Sequence, residues 1–351
     1  MASSSPFVRR NGNQFELNGE RYLVHGWNTY WLMTKAKGQL QEVEQVMADG
    51  KSMGLNVCRT WGFFDGPNGL QKSPGVFDET MFQGLDLAVA TAKKYGIKLI
   101  PALCNNWGSY GGKEQYVSWS TGSKQPGDAF YTDAKCKEYY KNYVKAWVQE
   151  MAKYVKSLDP NHMVGTGSEG FYGPGEGSNA CNPADWAATQ GTDFVRDHKI
   201  AEIDFTSAHL YPDHWLAHNL PLVDIMKWMT KWISRHIDDS NAMGKPLLIA
   251  EFNLRKEPDS SPLIMSNRAA FLGLTYDWLF ASVQNKGAGA GALFWHLLTP
   301  GTRGNADGFA VFKDQDPEVI EVITSHSKRL DALRKVLKSP APAAGGKTAT
   351  A

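Results

Sequence analysis

The stretch Pro246-Leu247-Leu248-Ile249-Ala250-Glu251-Phe252 decides the fold, because it is an apolar run that ends in a single carboxylate. Residues 247–250 have the continuous apolar character of a strand that is buried on both faces. Ionised carboxylates are almost never fully buried without a partner. We therefore expect Glu251 at the carboxyl end of the strand, facing a cleft, where parallel α/β barrels place their catalytic groups. The alternative is a strand-end Glu that pairs with a neighbouring Arg or Lys.

The composition is that of a globular protein without a strong charge bias. The 351 residues are 42% hydrophobic, enough for one large domain or two ordinary ones. The net charge of +1 gives no electrostatic basis for binding nucleic acid or an anionic membrane, and no apolar run reaches membrane-spanning length. Aromatic residues make up 12%, an excess that suits a sugar-binding surface. The four cysteines form no Cys-x-x-Cys pair, which argues against zinc and leaves disulfides open: Cys58, Cys104, Cys136 and Cys181.

Strand-like and helix-like segments alternate along almost the whole chain. After an amino-terminal hairpin at 7–20, strands are predicted at 22–27, 56–61, 97–104, 163–169, 205–211, 247–250 and 291–297. Helices are predicted at 41–53, 79–95, 134–158, 193–198, around 225–233, at 264–283 and at 317–337. This alternation, unbroken by a linker, predicts one α/β domain, a (β/α)8 TIM barrel spanning 7–338. The Pro, Ala and Gly-rich residues 339–351 predict a disordered tail.

The predicted barrel is one strand short, because seven strand signals are present and not eight. The gap lies between the strands at 97–104 and 163–169. A single helical pattern of 25 residues, 134–158, occupies this gap, whereas a helix usually has about 11–12 residues. We interpret this pattern as two helices that are joined where strand four is absent.

Polar or aromatic side chains follow nearly every predicted strand, and together they predict one shared cleft. They are Asn28, Arg59, Trp61, Asn105, Asn106, Trp107, Glu169, His209, Tyr211, Glu251, Trp295 and His296. Each alone has an ordinary explanation, such as a buried ion pair for Arg59 or barrel packing for Trp295. Arg59 beside Glu251 would keep that carboxyl group ionised, as a nucleophile requires. His209 can bond to Tyr211, to a carboxylate or to a sugar hydroxyl.

This combination of carboxylates, tryptophans and hydrogen-bonding side chains suits glycoside hydrolysis. In that reaction one carboxylate attacks the anomeric carbon, and a second protonates the leaving oxygen. The sequence contains no Ser-His-Asp elbow, phosphate-binding glycine loop or metal-ligand cluster. Gly165-Thr166-Gly167 lacks both the third glycine and the helix of a dinucleotide site. We therefore expect neither a metal nor a cofactor.

Six motifs within residues 7–337 form a specific set: Tyr22-Leu23-Val24-His25-Gly26-Trp27-Asn28-Thr29-Tyr30-Trp31-Leu32, Cys58-Arg59-Thr60-Trp61, Tyr110-Gly111-Gly112-Lys113, Glu169-Gly170-Phe171-Tyr172-Gly173, His209-Leu210-Tyr211-Pro212-Asp213 and Glu251-Phe252. The set resembles plant endo-β-1,4-mannanases of glycoside hydrolase family 5. The resemblance implies a (β/α)8 barrel and retaining cleavage of mannan, glucomannan or galactomannan. It implies that Glu251 is the nucleophile. It also implies that the catalytic subsite is lined by Arg59, His209 and Tyr211, and that the sugar is contacted by Trp61 and Trp295.

The resemblance also implies a secreted protein of the cell wall, although residues 1–6 have no signal-peptide core. We expect a monomer whose partners are β-mannan polysaccharides.

One departure from the family pattern concerns the proton donor. The acid/base Glu of the family lies in an Asn-Glu-Pro motif after strand four, and that motif is absent from this sequence. The chain passes at Lys145-Ala146 from a segment resembling the family's third helix to one resembling its fourth. Because general acid catalysis contributes roughly 10²–10⁴-fold, we expect weak or absent hydrolysis. Glu169 is the candidate substitute by spacing, whereas the family pattern gives that position a supporting role.

Three hypotheses follow. The chain is an endo-β-mannanase by descent with impaired activity. Alternatively, it is a catalytically silent mannan-binding protein that keeps Trp61 and Trp295, or a truncated product that does not fold well.

Overall fold

A computed structural model describes residues 7–103, 105, 107–123, 133, 135, 151–175, 181–217, 220–256 and 268–338. Three regions named above lie outside these residues: the tail at 339–351, most of the long helical pattern at 134–158, and the Lys145-Ala146 junction. Two of the cysteines, Cys58 and Cys181, are described, and both are buried free thiols. None of the described helices combines the length and apolar character needed to cross a membrane.

The described strands, in chain order, are β1 (Arg9–Asn11), β2 (Gln14–Leu17), β3 (Glu20–Arg21), β4 (Val24–Asn28), β5 (Val57–Trp61), β6 (Gln71–Ser73), β7 (Val76–Phe77), β8 (Lys98–Ala102), β9 (Thr206–Leu210), β10 (Leu247–Phe252), β11 (Gly289–Phe294), β12 (Leu297–Leu298) and β13 (Val311–Phe312). The described α-helices are α1 (Leu32–Ala36), α2 (Leu40–Ser52), α3 (Glu79–Tyr95), α4 (Gly112–Thr121), α5 (Met151–Leu158), α6 (Asp185–Ala188), α7 (Phe194–His198), α8 (Pro212–Trp215), α9 (Leu222–Met243), α10 (Arg268–Gln284) and α11 (Pro317–Lys338).

One parallel sheet of six strands positions the rest of the described chain. Its order in space is β8-β5-β4-β11-β10-β9, and each neighbouring pair is parallel. The pairing of β11 with β4 joins the last strand of the sheet to the first, which is the closing contact of a (β/α)8 barrel. The sheet is therefore a curled, partial barrel, as the sequence predicts.

The open side of the partial barrel lies where the sequence lacks a strand. β8 forms one edge, and beyond β9 at the other edge Gly165 makes an isolated parallel bridge to Phe205. No pairing between β8 and residues 163–169 occurs among the described residues. The prediction of a full strand at 163–169 is wrong, because only the Gly165 bridge forms. Gly167 has a φ of 66°, a left-handed conformation that cannot continue a strand.

Helix boundaries follow local signals closely. The predicted helix at 79–95 is confirmed as α3, with the Asp78 side chain accepting a hydrogen bond from Thr80 N at 2.8 Å. Gly96 ends α3 in the left-handed conformation, at a φ of 72°. The helices α2, α7, α9, α10 and α11 correspond to five other predicted helices, and α5 is the described end of the helical pattern at 134–158. Four helices were not predicted: α1, α4, α6 and α8.

The amino-terminal hairpin covers the end of the partial barrel that is opposite the strand carboxyl ends. Phe15 of β2 is 2% exposed and packs edge-on against Phe205 with 5.9 Å between ring centroids. Phe15 also belongs to one buried cluster with Val24, Val57 and Leu248, which come from β4, β5 and β10. Because the hairpin occupies this end, the carboxyl ends of the strands remain available for a site.

We predict that Gly26→Ala lowers the free energy of unfolding by about 1–3 kcal/mol, measured by urea denaturation. A methyl group at this position of β4 would lie 2.3 Å from Val57 O and 3.1 Å from the Leu293 side chain. Gly38→Ala is the matched control, since no heavy atom lies within 4 Å of its added Cβ. Equal stability of the Gly26→Ala variant and the wild type would contradict this packing.

Candidate active site

Glu251 lies near the carboxyl end of β10 with 14% of its side chain exposed. Its Oε1 accepts a hydrogen bond from Arg59 Nη1 of β5, and its Oε2 accepts one from the Tyr211 hydroxyl at 2.9 Å. His209 Nδ1 of β9 lies 3.7 Å from the same Oε2. The structure thus brings together four of the residues that the sequence singled out, around one carboxyl group.

The pKa of Glu251 is lowered from its ordinary value. Burial alone raises it, but the charges of His209 and Arg59 and the hydrogen bonds from Tyr211 and Arg59 outweigh burial. Burial and the neighbouring Glu251 together raise the pKa of Tyr211 well above its usual range. The Tyr211 hydroxyl therefore keeps its proton and donates it in a hydrogen bond to an ionised carboxylate.

Asn28 holds Arg59 in place at the end of β4. Arg59 Nη1 donates to Asn28 Oδ1 at 3.0 Å, while Asn28 Nδ2 donates to Ala250 O at 2.9 Å and to Leu293 O at 3.2 Å. Asn28 is 1% exposed. This buried amide connects the backbones of β10 and β11 to Arg59. Sequence reasoning singled out Asn28 by its position at a strand end but missed this role.

His209 lies between two carboxyl groups. Its Nδ1 is 3.4 Å from Glu169 Oε2 and 3.7 Å from Glu251 Oε2. These two oxygens are therefore no more than about 7 Å apart, and the carboxyl groups of retaining glycosidases are about 5–5.5 Å apart. Neither ring nitrogen of His209 has a hydrogen-bond partner among the described residues. Glu169 is thus close to Glu251, and its role as a substitute donor stays a prediction.

An aromatic cluster borders the carboxylate site. The ring centroids of Trp61 and Trp295 are 6.5 Å apart. Tyr30 stacks on Trp295 at 5.9 Å with an interplanar angle of 11°, and Tyr110 meets Trp61 edge-on at 4.6 Å. The two tryptophans that the family resemblance assigned to the sugar therefore lie together. Tyr30 and Tyr110 lie within quoted motifs, but the sequence offered no signal for their contacts.

Of the predicted residues after β8, the structure describes Asn105 and Trp107, and the hydrogen bonds of this pair stay within their own loop. Asn105 Nδ2 donates to Ser109 O at 3.0 Å, and Asn105 Oδ1 accepts from Trp107 N at 3.1 Å. Asn105 therefore shapes its own loop, while the Trp107 side chain is exposed. Asn106 lies outside the described residues. Across the described ranges, no group of three or more His, Cys, Asp or Glu side chains could hold a metal ion.

Residues 5–144 and 132–316 match the family model described as "GH family 5 beta-mannosidase-like". The chain belongs to glycoside hydrolase family 5. Within the family, mannan endo-1,4-beta-mannosidase 2 of Oryza sativa is 36% identical over 397 positions, covering 96% of this chain and 88% of the rice protein. Mannan endo-1,4-beta-mannosidase 5 of Solanum lycopersicum is 37% identical and covers 96% of this chain and 92% of its own length.

Solved structures agree with this assignment to family 5. The hyperthermostable endo-1,4-beta-D-mannanase from Thermotoga petrophila superposes with a TM-score of 0.73 and is 30% identical. The superposition covers 88% of this chain and all of the Thermotoga chain. The partial barrel is therefore a family 5 barrel from which a part is missing.

The comparisons also indicate that a segment of the family is missing from this chain. The family match falls into two parts that overlap at 132–144, next to the Lys145-Ala146 junction. About 60 of the 397 positions aligned with the rice protein have no residue of this chain opposite them, because 96% of 351 residues fills only about 337. The count indicates that residues are missing relative to the rice protein, and the split of the family match supports a break next to Lys145-Ala146, between the third and fifth strands of the family 5 barrel.

We predict that Arg59→Met raises the pKa of Glu251, because it removes an opposite charge in direct contact. The measurement is a carbon-13 NMR titration of labelled glutamate carboxyl groups, with Glu251 assigned from its loss in Glu251→Gln. As pH falls, the variant should protonate Glu251 before the wild type does. Arg303→Met is the control, since Arg303 pairs with the exposed Asp314. Identical titrations in the Arg59 variant and the wild type would contradict the ion pair.

Proposed function

We propose that this chain is a β-1,4-mannan glycosidase by descent, with Glu251 as the nucleophile and slow cleavage of natural polysaccharide. One observation carries the proposal: a partly buried carboxylate, bonded by Arg59 and Tyr211, lies at a strand end of a family 5 barrel in which the indoles of Trp61 and Trp295 are 6.5 Å apart. The substrate class comes from the relatives, whose names describe mannan hydrolysis. The same family supports a location in the plant cell wall.

The retained groups suit the first step of a retaining reaction. A carboxylate oxygen of Glu251 forms a bond to the anomeric carbon, and the bond from that carbon to the leaving oxygen breaks. The hydrogen bonds from Arg59 and Tyr211 hold the carboxylate in one orientation before attack. Trp61 and Trp295 offer flat apolar faces on which a mannosyl ring can stack.

The step that this chain supports poorly is protonation of the leaving oxygen. A sugar alkoxide is a poor leaving group and needs a proton from a general acid. The family places that acid after strand four, and the chain has no Asn-Glu-Pro motif. Dinitrophenol has a low pKa, so dinitrophenolate leaves without first receiving a proton. We therefore infer that dinitrophenyl β-mannosides are cleaved much faster than mannan.

We predict that the wild type releases dinitrophenolate from 2,4-dinitrophenyl β-mannobioside and that Glu251→Gln lowers this rate by about 10³-fold or more, because the amide cannot attack. Absorbance measures the release directly. Glu321→Gln is the matched control, since Glu321 lies on the exposed side of α11. Turnover that survives in Glu251→Gln would show that another group attacks.

A second comparison separates enzyme from silent binder. We expect slow release of reducing ends from soluble galactomannan and saturable binding of mannohexaose by calorimetry. Binding without release from either galactomannan or the dinitrophenyl substrate would favour the silent mannan-binding protein. If the wild type shows no binding and no release, the proposed function is overturned.

Glu169→Gln tests the substitute proton donor. If Glu169 supplies the proton, the variant loses about tenfold or more on galactomannan but keeps its rate on the dinitrophenyl substrate. Equal losses on both substrates would instead assign Glu169 to positioning His209, which lies 3.4 Å away.

A further inference from the structure

Asp307 is a carboxylate that is not among the residues around Glu251. It contacts both residues that follow β11, Trp295 and His296. Its Oδ2 accepts a hydrogen bond from Trp295 Nε1 at 2.6 Å. Its Oδ1 lies 3.1 Å from His296 Nε2 and accepts a hydrogen bond from Phe309 N at 3.0 Å. One side chain therefore fixes an indole, an imidazole and the turn of its own loop.

The loop that carries Asp307 is itself held against β10. Asn253 Nδ2 donates to Phe309 O at 2.9 Å and also to Trp295 O. Arg268 Nε donates to Asn253 Oδ1 at 3.0 Å, and Arg268 Nη2 donates to Phe309 O. Asn253 and Arg268 are both buried. The position of Asp307 is thus set by a buried network and not by a free surface loop.

The indole of Trp295 has one ring face against Tyr30, at 5.9 Å and nearly parallel. Stacking on Tyr30 restrains the tilt of the indole but not its rotation within its own plane. The hydrogen bond to Asp307 restrains that rotation, because it holds the Nε1 edge. A side chain that is ordered before the ligand arrives has less conformational freedom to lose on binding.

The charge of Asp307 favours this contact. Burial raises the pKa of its carboxyl group, but the contacts with His296, Trp295 and Phe309 N outweigh burial and lower it. Asp307 is therefore ionised near neutral pH, and a hydrogen bond to a charged acceptor is roughly twice as strong as a neutral one.

We propose that Asp307 is a positioning residue for sugar binding, which holds the Trp295 indole in the orientation that receives a mannosyl ring. This inference rests on the proposed function, because it requires Trp295 to contact the sugar. Asp307 does not touch Glu251 in the structure, so its effect should fall on affinity and not on the attack itself.

The first test is spectroscopic and needs no sugar. In proton–nitrogen NMR spectra, the Trp295 indole resonance is identified as the one missing in Trp295→Phe. We expect Asp307→Ala to move it upfield, because the hydrogen bond to a carboxylate is lost, and Asp307→Asn to restore part of the shift. Asp314→Ala is the control, since Asp314 is an exposed residue of the same segment that pairs with Arg303 at 3.2 Å. An unmoved resonance in Asp307→Ala would overturn the proposal.

The second test is a double-mutant cycle on mannohexaose affinity, measured by calorimetry. We expect Asp307→Ala to weaken binding about tenfold, and Asp307→Asn by no more than about threefold, since an amide oxygen can still accept from Trp295 Nε1. In a Trp295→Phe background, Asp307→Ala should cause no further loss, because its partner is already gone.

The outcomes of this cycle separate the two proposals. Additive losses in the double variant would overturn the positioning role while leaving the proposed function intact. A wild type that neither binds mannohexaose nor cleaves any mannoside would overturn the proposed function, and the positioning role with it.

Discussion

The contact between Arg59 and Glu251 is the constraint on which the site depends, because their strands are not neighbours. β5 and β10 are separated by β4 and β11 in the sheet. In a flat sheet these strands would be roughly 14 Å apart, at about 4.8 Å per strand. Direct contact between the two side chains requires the sheet to curl. The ion pair therefore exists only in a barrel-like sheet, even one that lacks a strand.

In the curled sheet, the strands around the proposed nucleophile Glu251 are present, whereas the edge next to Glu169 lacks a strand among the described residues. Glu251 and Arg59 belong to strands that have both neighbours in place, and Tyr211 follows β9, which still pairs with β10, so the attacking carboxylate keeps its partners. The edge beyond β9 is held by the Gly165 bridge and by single backbone hydrogen bonds, from Asp204 N to Val164 O at 2.8 Å and from His209 N to Glu169 O at 2.9 Å. Under the proposed function, the loss of one segment affects the proton supply more than nucleophilic attack, because the Asn-Glu-Pro motif is absent while the partners of Glu251 are present. Mannan-directed chemistry in this family 5 chain should be limited by leaving-group departure.

Burial determines how polar groups act in this site. Asn28, Asn253 and Arg268 are almost inaccessible to solvent, yet each bonds to backbone carbonyl groups of neighbouring strands or loops. Unpaired polar groups at such depth would cost about 1–3 kcal/mol each. These residues hold Arg59 and Trp295 in fixed orientations. Two buried amides and a buried guanidinium therefore organise the site.

Local patterns in the sequence determined the elements: the helical pattern at 79–95 predicted α3, and the apolar run before Glu251 predicted β10. The count of seven strand signals predicted the gap in the barrel. Only the tertiary structure decided that Asn28 supports Arg59, that His209 lies between Glu169 and Glu251, and that Asp307 bonds Trp295. The reason is physical: strand and helix signals act over a few residues, whereas these contacts join side chains that are far apart in sequence and meet only when the sheet curls.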